Sequence, residues 1–256
     1  MRRTLPAHFT QKSHLTDTAG VPWKGRDYTV SPFPTDTGGQ DPRIAAALAA
    51  VDAGEDPHHE ALVAALRGQR VMVPITAIAT DTEVTADGLV ADNASDMAVV
   101  KIQAGTDIAL PIFTGTEQLT AWRPEARPVP MVIEQAAQAA VAEGCTMLIV
   151  DMGRPRPVVL TRSALWALGQ DRPWTPPHAD DAVISEMRGA LLGTVPHLRD
   201  VHLRPHPERE VDVVLVLEPG LRREDLQAIL GGIQQILASS QLIAERVTSL
   251  KLTVTG

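Results

Sequence analysis

Three histidines stand close together in the last quarter of the chain, His197, His202 and His206, with Arg204 between the last two. On an extended strand the side chains of His202, Arg204 and His206 point the same way, and such a row can hold a metal or an anion. Pro205 and Pro207 disturb regular pairing there, and a metal would need Asp200 and Glu208 as further ligands, so surface histidines at a strand end are the commoner reading. Asp92, Asn93, Ser95 and Asp96 offer oxygens to a divalent cation or a small ligand, with Asp92 and Asp96 the candidate binding residues. Such side chains more often satisfy a turn. His58 and His59, between Asp56 and Glu60, suit the first turn of a solvated helix. Cys145 is the one cysteine. A catalytic thiol needs a nearby base or an electropositive setting; the sequence names no such partner, and a small buried hydrophobe is expected. No residue is assigned to catalysis, to a metal or to a cofactor.

Local motifs are missing. No two glycines lie at i and i+2, so the dinucleotide-binding fingerprint cannot occur, and no glycine precedes Lys-Ser or Lys-Thr as a P-loop needs. A Gly-x-Ser-x-Gly nucleophile elbow and a His-Glu-x-x-His zinc helix are absent as well. Each spacing is a geometric necessity for its chemistry. Active sites assembled without a local motif are untouched by this argument.

The elements that must position these residues follow from periodicity and punctuation. Residues 1–40 show no regular period but hold Pro6, Gly20, Pro22, Gly25, Pro32, Pro34, Gly38 and Gly39. Phe9, Trp23, Tyr28 and Phe33, half of the aromatics in the chain, lie there too. A disordered tail is poor in aromatics, so Gly20–Asp41 reads as an ordered arm docked on its own body or on a partner. Asp41 caps a helix with Pro42 in its first turn, running through Ile44, Leu48 and Val51 to Gly54. Pro57 opens a second helix that ends at Gly68. Val71–Ala79 is a strand that Pro74 confines to an edge or a bulge, and Asp81 to Asp96 is an acidic, turn-like stretch. Met97–Gln103 and Ile108–Thr114 form a hairpin, followed by helices at Thr116–Trp122 and Ile133–Glu143, strands at Thr146–Met152 and Pro157–Thr161, and a helix at Ser163–Gly169.

Three prolines between Asp171 and Pro177 mark a boundary. Beyond it the pattern is helix (Asp181–Leu192), strand (His197–Arg204), strand (Glu210–Leu217, covered on both faces), helix (Leu221–Ala238) and strand (Val247–Val254). Gly231 and Gly232 within that last helix suggest close packing on a sheet. The fold class is therefore α+β: a turn-rich arm (1–40), a mixed α/β domain (41–177) and a smaller α-β-β-α-β domain (178–256).

Composition narrows the function classes. The 256 residues are 44% apolar and 21% charged, with 23 basic and 31 acidic side chains and a net charge of −8. That describes a globular chain with a proper core. Only Lys12, Lys24, Lys101 and Lys251 are lysines, and the basic stripe of a nucleic-acid binder is missing, so no direct nucleic-acid partner is expected. Residues 1–40 carry +2 and residues 41–110 carry −7, an attraction that salt screens. Aliphatic runs such as Val213–Leu217 are far short of the ~20 residues of a membrane span. Met1-Arg2-Arg3 is not followed by an apolar leader region, so a cytoplasmic location is expected.

Several strings carry a resemblance. They are Gly20-Val-Pro-Trp23-Lys-Gly25-Arg26, Pro32-Phe33, Gly39-Gln-Asp41-Pro42, Arg70-Val-Met-Val-Pro74 and Asp92-Asn-Ala-Ser-Asp96-Met97. Further on come Ala109-Leu-Pro-Ile-Phe-Thr114, Ala121-Trp122-Arg-Pro-Glu-Ala-Arg127-Pro-Val-Pro130, Ala164-Leu-Trp166-Ala-Leu168 and Trp174-Thr-Pro-Pro177. In these the chain resembles the SseB family, named for enhanced serine sensitivity, over about residues 20–177, and less distinctively its C-terminal domain over 180–256. Asp36-Thr37 stands where the family often has an acidic pair, and Asn93 where it has a lysine. The resemblance implies no established enzymatic activity or agreed ligand. It points to a protein-interaction or regulatory factor with a protein partner, Trp23 and Phe33 being anchors and Arg26 a charged contact. A link to the translation machinery, through basic ribosomal proteins, is a further possibility. The alternative is a binder of an amino-acid-like metabolite, or an enzyme acting on one, with its site near Asp92, Asp96 and the arm. The oligomeric state is open.

Overall fold

The computed structural model describes residues 33–84, 90–105 and 107–256. Helix α1 (Pro42–Ala53) begins where the Asp41 carboxylate accepts from the Arg43 amide at 2.7 Å, and it ends at Gly54, whose φ of 77° is the left-handed cap a glycine adopts freely. Helix α2 (Glu60–Leu66) begins later than Pro57 suggests. Pro57 lies in a turn where the His59 amide donates to the Asp56 carbonyl at 3.2 Å. The buried Asp56 carboxylate then reaches forward to accept from the Leu62 amide at 3.0 Å, capping the helix from six residues upstream.

Strands β1 (Arg70–Val84) and β2 (Val90–Val99) pair antiparallel, so residues 81–84 and 90–96 are ladder rather than turn. Strand β3 (Ile102–Ala104) forms a hairpin with β4 (Asp107–Ile112). Helix α3 (Thr116–Trp122), strand β5 (Arg127–Val132) and helix α4 (Ile133–Ala142) follow, then β6 (Met147–Val150), β7 (Val158–Leu160) and helix α5 (Arg162–Gly169). The strands form two sheets, β2-β1-β5 and β3-β4-β6-β7, the pair β4–β6 being parallel.

Strand β1 is the centre of its sheet, which places Pro74 where the sequence reading excluded it. The ladder explains the tolerance. Met72 exchanges backbone bonds with Phe113 at 2.7 and 2.9 Å on the edge away from β5, so residues 72 and 74 turn their N–H side to that edge. Registered pairing with β2 begins at Ile75, and the Pro74 carbonyl still accepts from the Val100 amide at 3.1 Å, so the donor that Pro74 lacks falls at the last rung of that ladder. The same alternation turns the N side of Pro128 and Pro130, opposite Pro74 and Met72, away from β1 to the open edge of β5. Proline-rich β5 is for this reason a strand that periodicity did not suggest.

The second half holds α6 (Asp181–Leu191), β8 (Leu198–Arg204), β9 (Val211–Leu217), α7 (Arg223–Ser239), α8 (Gln241–Arg246) and β10 (Leu250–Thr255), in a sheet of order β10-β9-β8. The architecture is α+β, with one short helix, α8, more than expected. Val211, Val213, Leu215 and Leu217 of β9 face the helices; on its other face only Val214 is buried, so the strand is covered on one face and not two. A Cβ at Gly231 or Gly232 would meet nothing within 4 Å, so close packing is not what those glycines serve.

Besides a small cluster of Met72, Phe113, Leu119 and Ala126, two large apolar cores result, one from Ile44 to Leu168 and one from Val183 to Val247. Glu210, just before β9, pins them together. One carboxylate oxygen accepts from the Thr161 hydroxyl and, at 2.6 Å, from the Ser163 hydroxyl; the other accepts from the amides of Thr248 and Ser249. Trp174, in the connecting segment, packs on the first core and donates its indole N–H to the Ser163 hydroxyl at 3.2 Å. No described helix is long and apolar enough to cross a membrane.

Candidate functional site

The carboxyl ends of the parallel strands β4 and β6, where open α/β sheets commonly take their ligands, carry a chain of polar groups. Thr114 follows β4 and Asp151 follows β6, each 1% exposed. Asp151 sits in the left-handed region at φ 49° and accepts from both the amide and the hydroxyl of Thr114, at 2.8 and 2.7 Å. The Thr114 hydroxyl in turn accepts from Gln40 Nε2 at 2.6 Å. Arg70, at the start of β1, donates to the carbonyls of Thr114 and Gly39 and pairs with Asp36 at 2.8 Å. The last residues of the arm are therefore fastened to the body by a charge pair and a buried relay of hydrogen bonds.

Two glycines make this crossing possible. The Gly38 carbonyl accepts from the Thr116 amide at 2.8 Å, and a Cβ on Gly38, at φ 78°, would lie 2.5 Å from Thr116 Oγ1. Gly115 has extended backbone, but a Cβ there would lie 2.5 Å from Gln118 Oε1 and 3.1 Å from the Gln40 nitrogen. Larger residues would lift the arm off α3.

Beside the crossing lies a cleft of about 280 Å³ lined by Glu117, Gln118, Ala121, Asp151, Gly153, Arg154 and Pro155. Burial pushes the Asp151 carboxyl above its ordinary range, against the opposing pull of the two Thr114 bonds and the Arg154 charge. Both groups are shut from solvent and are spent on each other, on the Thr114 amide and on the Gln40 side chain. The arrangement fixes the arm's base.

The residues singled out in the sequence do not assemble. Trp23 and Arg26 lie outside the described residues. Phe33 opens the turn in which its carbonyl accepts from the Asp36 amide at 3.1 Å. Asp92 and Asp96 lie within β2, in register with Thr82 and Ile78, so the Asx-turn reading of this cluster is overturned by the ladder that takes up their backbone. His197 pairs with Glu218 at 2.8 Å, His202 lies 3.5 Å from Asp200, and His206 accepts from the amides of Glu208 and Arg209. Each has its own local partner, and among the described residues no group of three His, Cys, Asp or Glu side chains is placed to hold a metal. Cys145 belongs to the first core, and burial pushes its thiol up despite nearby Lys101. His58 is half-buried rather than fully solvated, and its ring lies 4.6 Å from that of His178, at 60°.

Sequence reasoning missed Asp151, Thr114, Arg70 and Gln40 as a group. A signal was present. Three of the strings quoted above, around Gln40, Arg70 and Thr114, each donate one member, and Asp151 closes a buried-type strand. The model of the SseB protein N-terminal domain matches residues 44–167. No curated protein and no solved structure matches the chain.

Proposed function

Because the chain belongs to the SseB family, we propose that it is a non-enzymatic, cytoplasmic interaction or regulatory factor whose N-terminal arm engages a protein partner. The observation that carries this reading is the fastening of Asp36–Gln40 to Arg70 and Thr114. It gives the preceding aromatic segment a fixed point of departure from the body and absorbs the buried carboxylate that catalysis would otherwise use. Trp23 and Phe33 are the anchors in this reading and Arg26 a charged contact. Aromatic and arginine side chains carry a disproportionate share of interface energy, so truncating an anchor costs ~2 kcal/mol or more.

Cross-linking in native cells followed by mass spectrometry tests it. A partner recovered with the wild type should be lost with the Trp23→Ala/Phe33→Ala double variant and weakened with Arg70→Ala, which leaves the aromatics in place but frees their base. Equal recovery with all three removes the arm from the function.

A metabolite-binding reading has one observation in its favour, the cleft beside the arm's base. It moves that site from Asp92 and Asp96 to the ends of β4 and β6. A ligand at a hundred times its dissociation constant adds ~2.7 kcal/mol to stability, so a thermal-shift screen of metabolites that leaves the melting temperature flat would argue against it.

A further inference from the structure

The segment that joins the two cores carries His178, whose ring lies against His58, from the turn before α2, with centroids 4.6 Å apart. The buried prolines Pro176 and Pro177 precede it. The Pro176 carbonyl accepts from the amides of Ala179 and Asp180 at 2.8 and 3.1 Å, closing a tight turn around the histidine. Asp180 then caps α6, accepting from the amides of Ala182 and Val183, and its carboxylate pairs with Arg246 of α8 at 2.9 Å. From the other side the backbone of Glu210 faces the His178 ring, while the Glu210 carboxylate is taken up by its four donors. His178 Nδ1 is enclosed without a hydrogen-bond partner. This imidazole thus touches all three parts of the junction: the first core through His58, the connecting segment, and the second core through Glu210.

We propose that His178, its ring packed against that of His58, makes the junction a pH-sensitive hinge, closed while the His178 imidazole is neutral and loosened when it takes up a proton. A charge on a half-buried ring that lies against a second imidazole is poorly solvated. The charged groups around the pair are few. Glu60, in the first turn of α2, favours protonation of His178; His59, next in sequence to His58, faces Asp56. Burial comes first and the His58 charge second in holding the His178 imidazole below the ordinary histidine range, and together they outweigh Glu60 and the Glu210 backbone. Burial holds His59 down too. The sign follows: the closed junction binds fewer protons than the open one, so the closed form is fully favoured above the ordinary histidine value of ~6.5 and loses ground as pH falls through it.

Hydrogen exchange on the full chain, read by mass spectrometry over residues 172–182 and corrected for intrinsic rates, tests the hinge. Opening should rise at least about threefold between pH 7.5 and pH 5.5 in the wild type, and by less than half that factor in His58→Phe and His178→Phe, which keep a ring in place but remove the imidazole. An unchanged wild type, or three equal pH responses, would overturn the proposal. Should His178→Phe not fold, an NMR titration of His178 in wild type and in His58→Phe decides. Its pKa must rise when the neighbouring charge is removed, and a pKa that stays where it was rules the hinge out.

Discussion

Buried polar side chains are distributed unevenly between the two halves of the molecule. Asp56, Thr114, Asp151 and Ser163 all lie in the first half, whereas every described residue buried beyond Trp174 is apolar or proline. The second core, three strands under α6, α7 and α8, is apolar throughout, and the polar ties across this half, such as Asp180–Arg246 and Arg188–Asp200, lie at its partly exposed rim. In the first, each buried polar group fastens a segment that lies outside the apolar cluster. Asp56 holds the entry to α2, Thr114 and Asp151 hold the arm, and Ser163 meets Glu210 across the junction. A buried polar group that keeps its partners costs little, and one that loses them costs much. Polar burial in this chain therefore marks seams where a segment must be kept in one place.

The largest test of the contrast replaces one buried leucine in each core. Leu110 and Leu215 are both fully buried, and a Leu→Ala change at such a site costs ~2–5 kcal/mol. Differential scanning calorimetry should show Leu110→Ala lowering one unfolding transition and Leu215→Ala the other. If both variants lower one shared transition by the same amount, the two cores form one cooperative unit through Glu210 and the contrast loses its thermodynamic meaning.

A smaller effect isolates the polar seam. Asp151→Ala leaves the buried Thr114 amide without an acceptor, a loss of ~1–3 kcal/mol. Asp151→Asn keeps an oxygen there but no longer titrates. Because burial raises the Asp151 carboxyl above its ordinary value, the native chain holds this proton more firmly than the unfolded one. Its contribution is full below pH ~4 and is lost as pH rises through the native value. Urea midpoints of the wild type relative to Asp151→Asn should therefore fall between pH 4 and pH 7. A constant difference would mean that the carboxylate is as well solvated in the fold as out of it.

How much of this was legible in the sequence follows the same division. Elements with a clean local signal were readable: α1 from Asp41 and Gly54, α3 at the residues expected, and the second half nearly strand for strand. Readings failed where a distant partner overruled a local rule. Pro74 sits in a central strand because its missing donor meets the end of a ladder, and the acidic stretch after Ala79 pairs because β2 returns along it. The arm's base and the His58–His178 contact join residues 74 and 120 positions apart, and no periodicity carries that information. The aromatic arm was visible as a composition; the place where it is fastened was not.

The smallest expected effect sharpens the contrast from the other half. A Cβ on Gly38 would strike Thr116 at a left-handed φ, and one on Gly115 would crowd the arm's backbone at 3.1 Å, so the arm's seam favours glycine at both positions. Gly231 and Gly232 lie in the interior of α7, at ordinary helical backbone, with open space where a Cβ would go. Glycine there only adds to the entropy lost on folding, and alanine should stabilise the helix by ~1 kcal/mol at each position. Chemical denaturation of Gly231→Ala and Gly232→Ala measures this directly. A gain in both variants leaves the second half as a fold that tolerates optimisation away from any seam. A loss in either means that another surface packs against that face of α7 in solution, and the second half would then have a seam of its own.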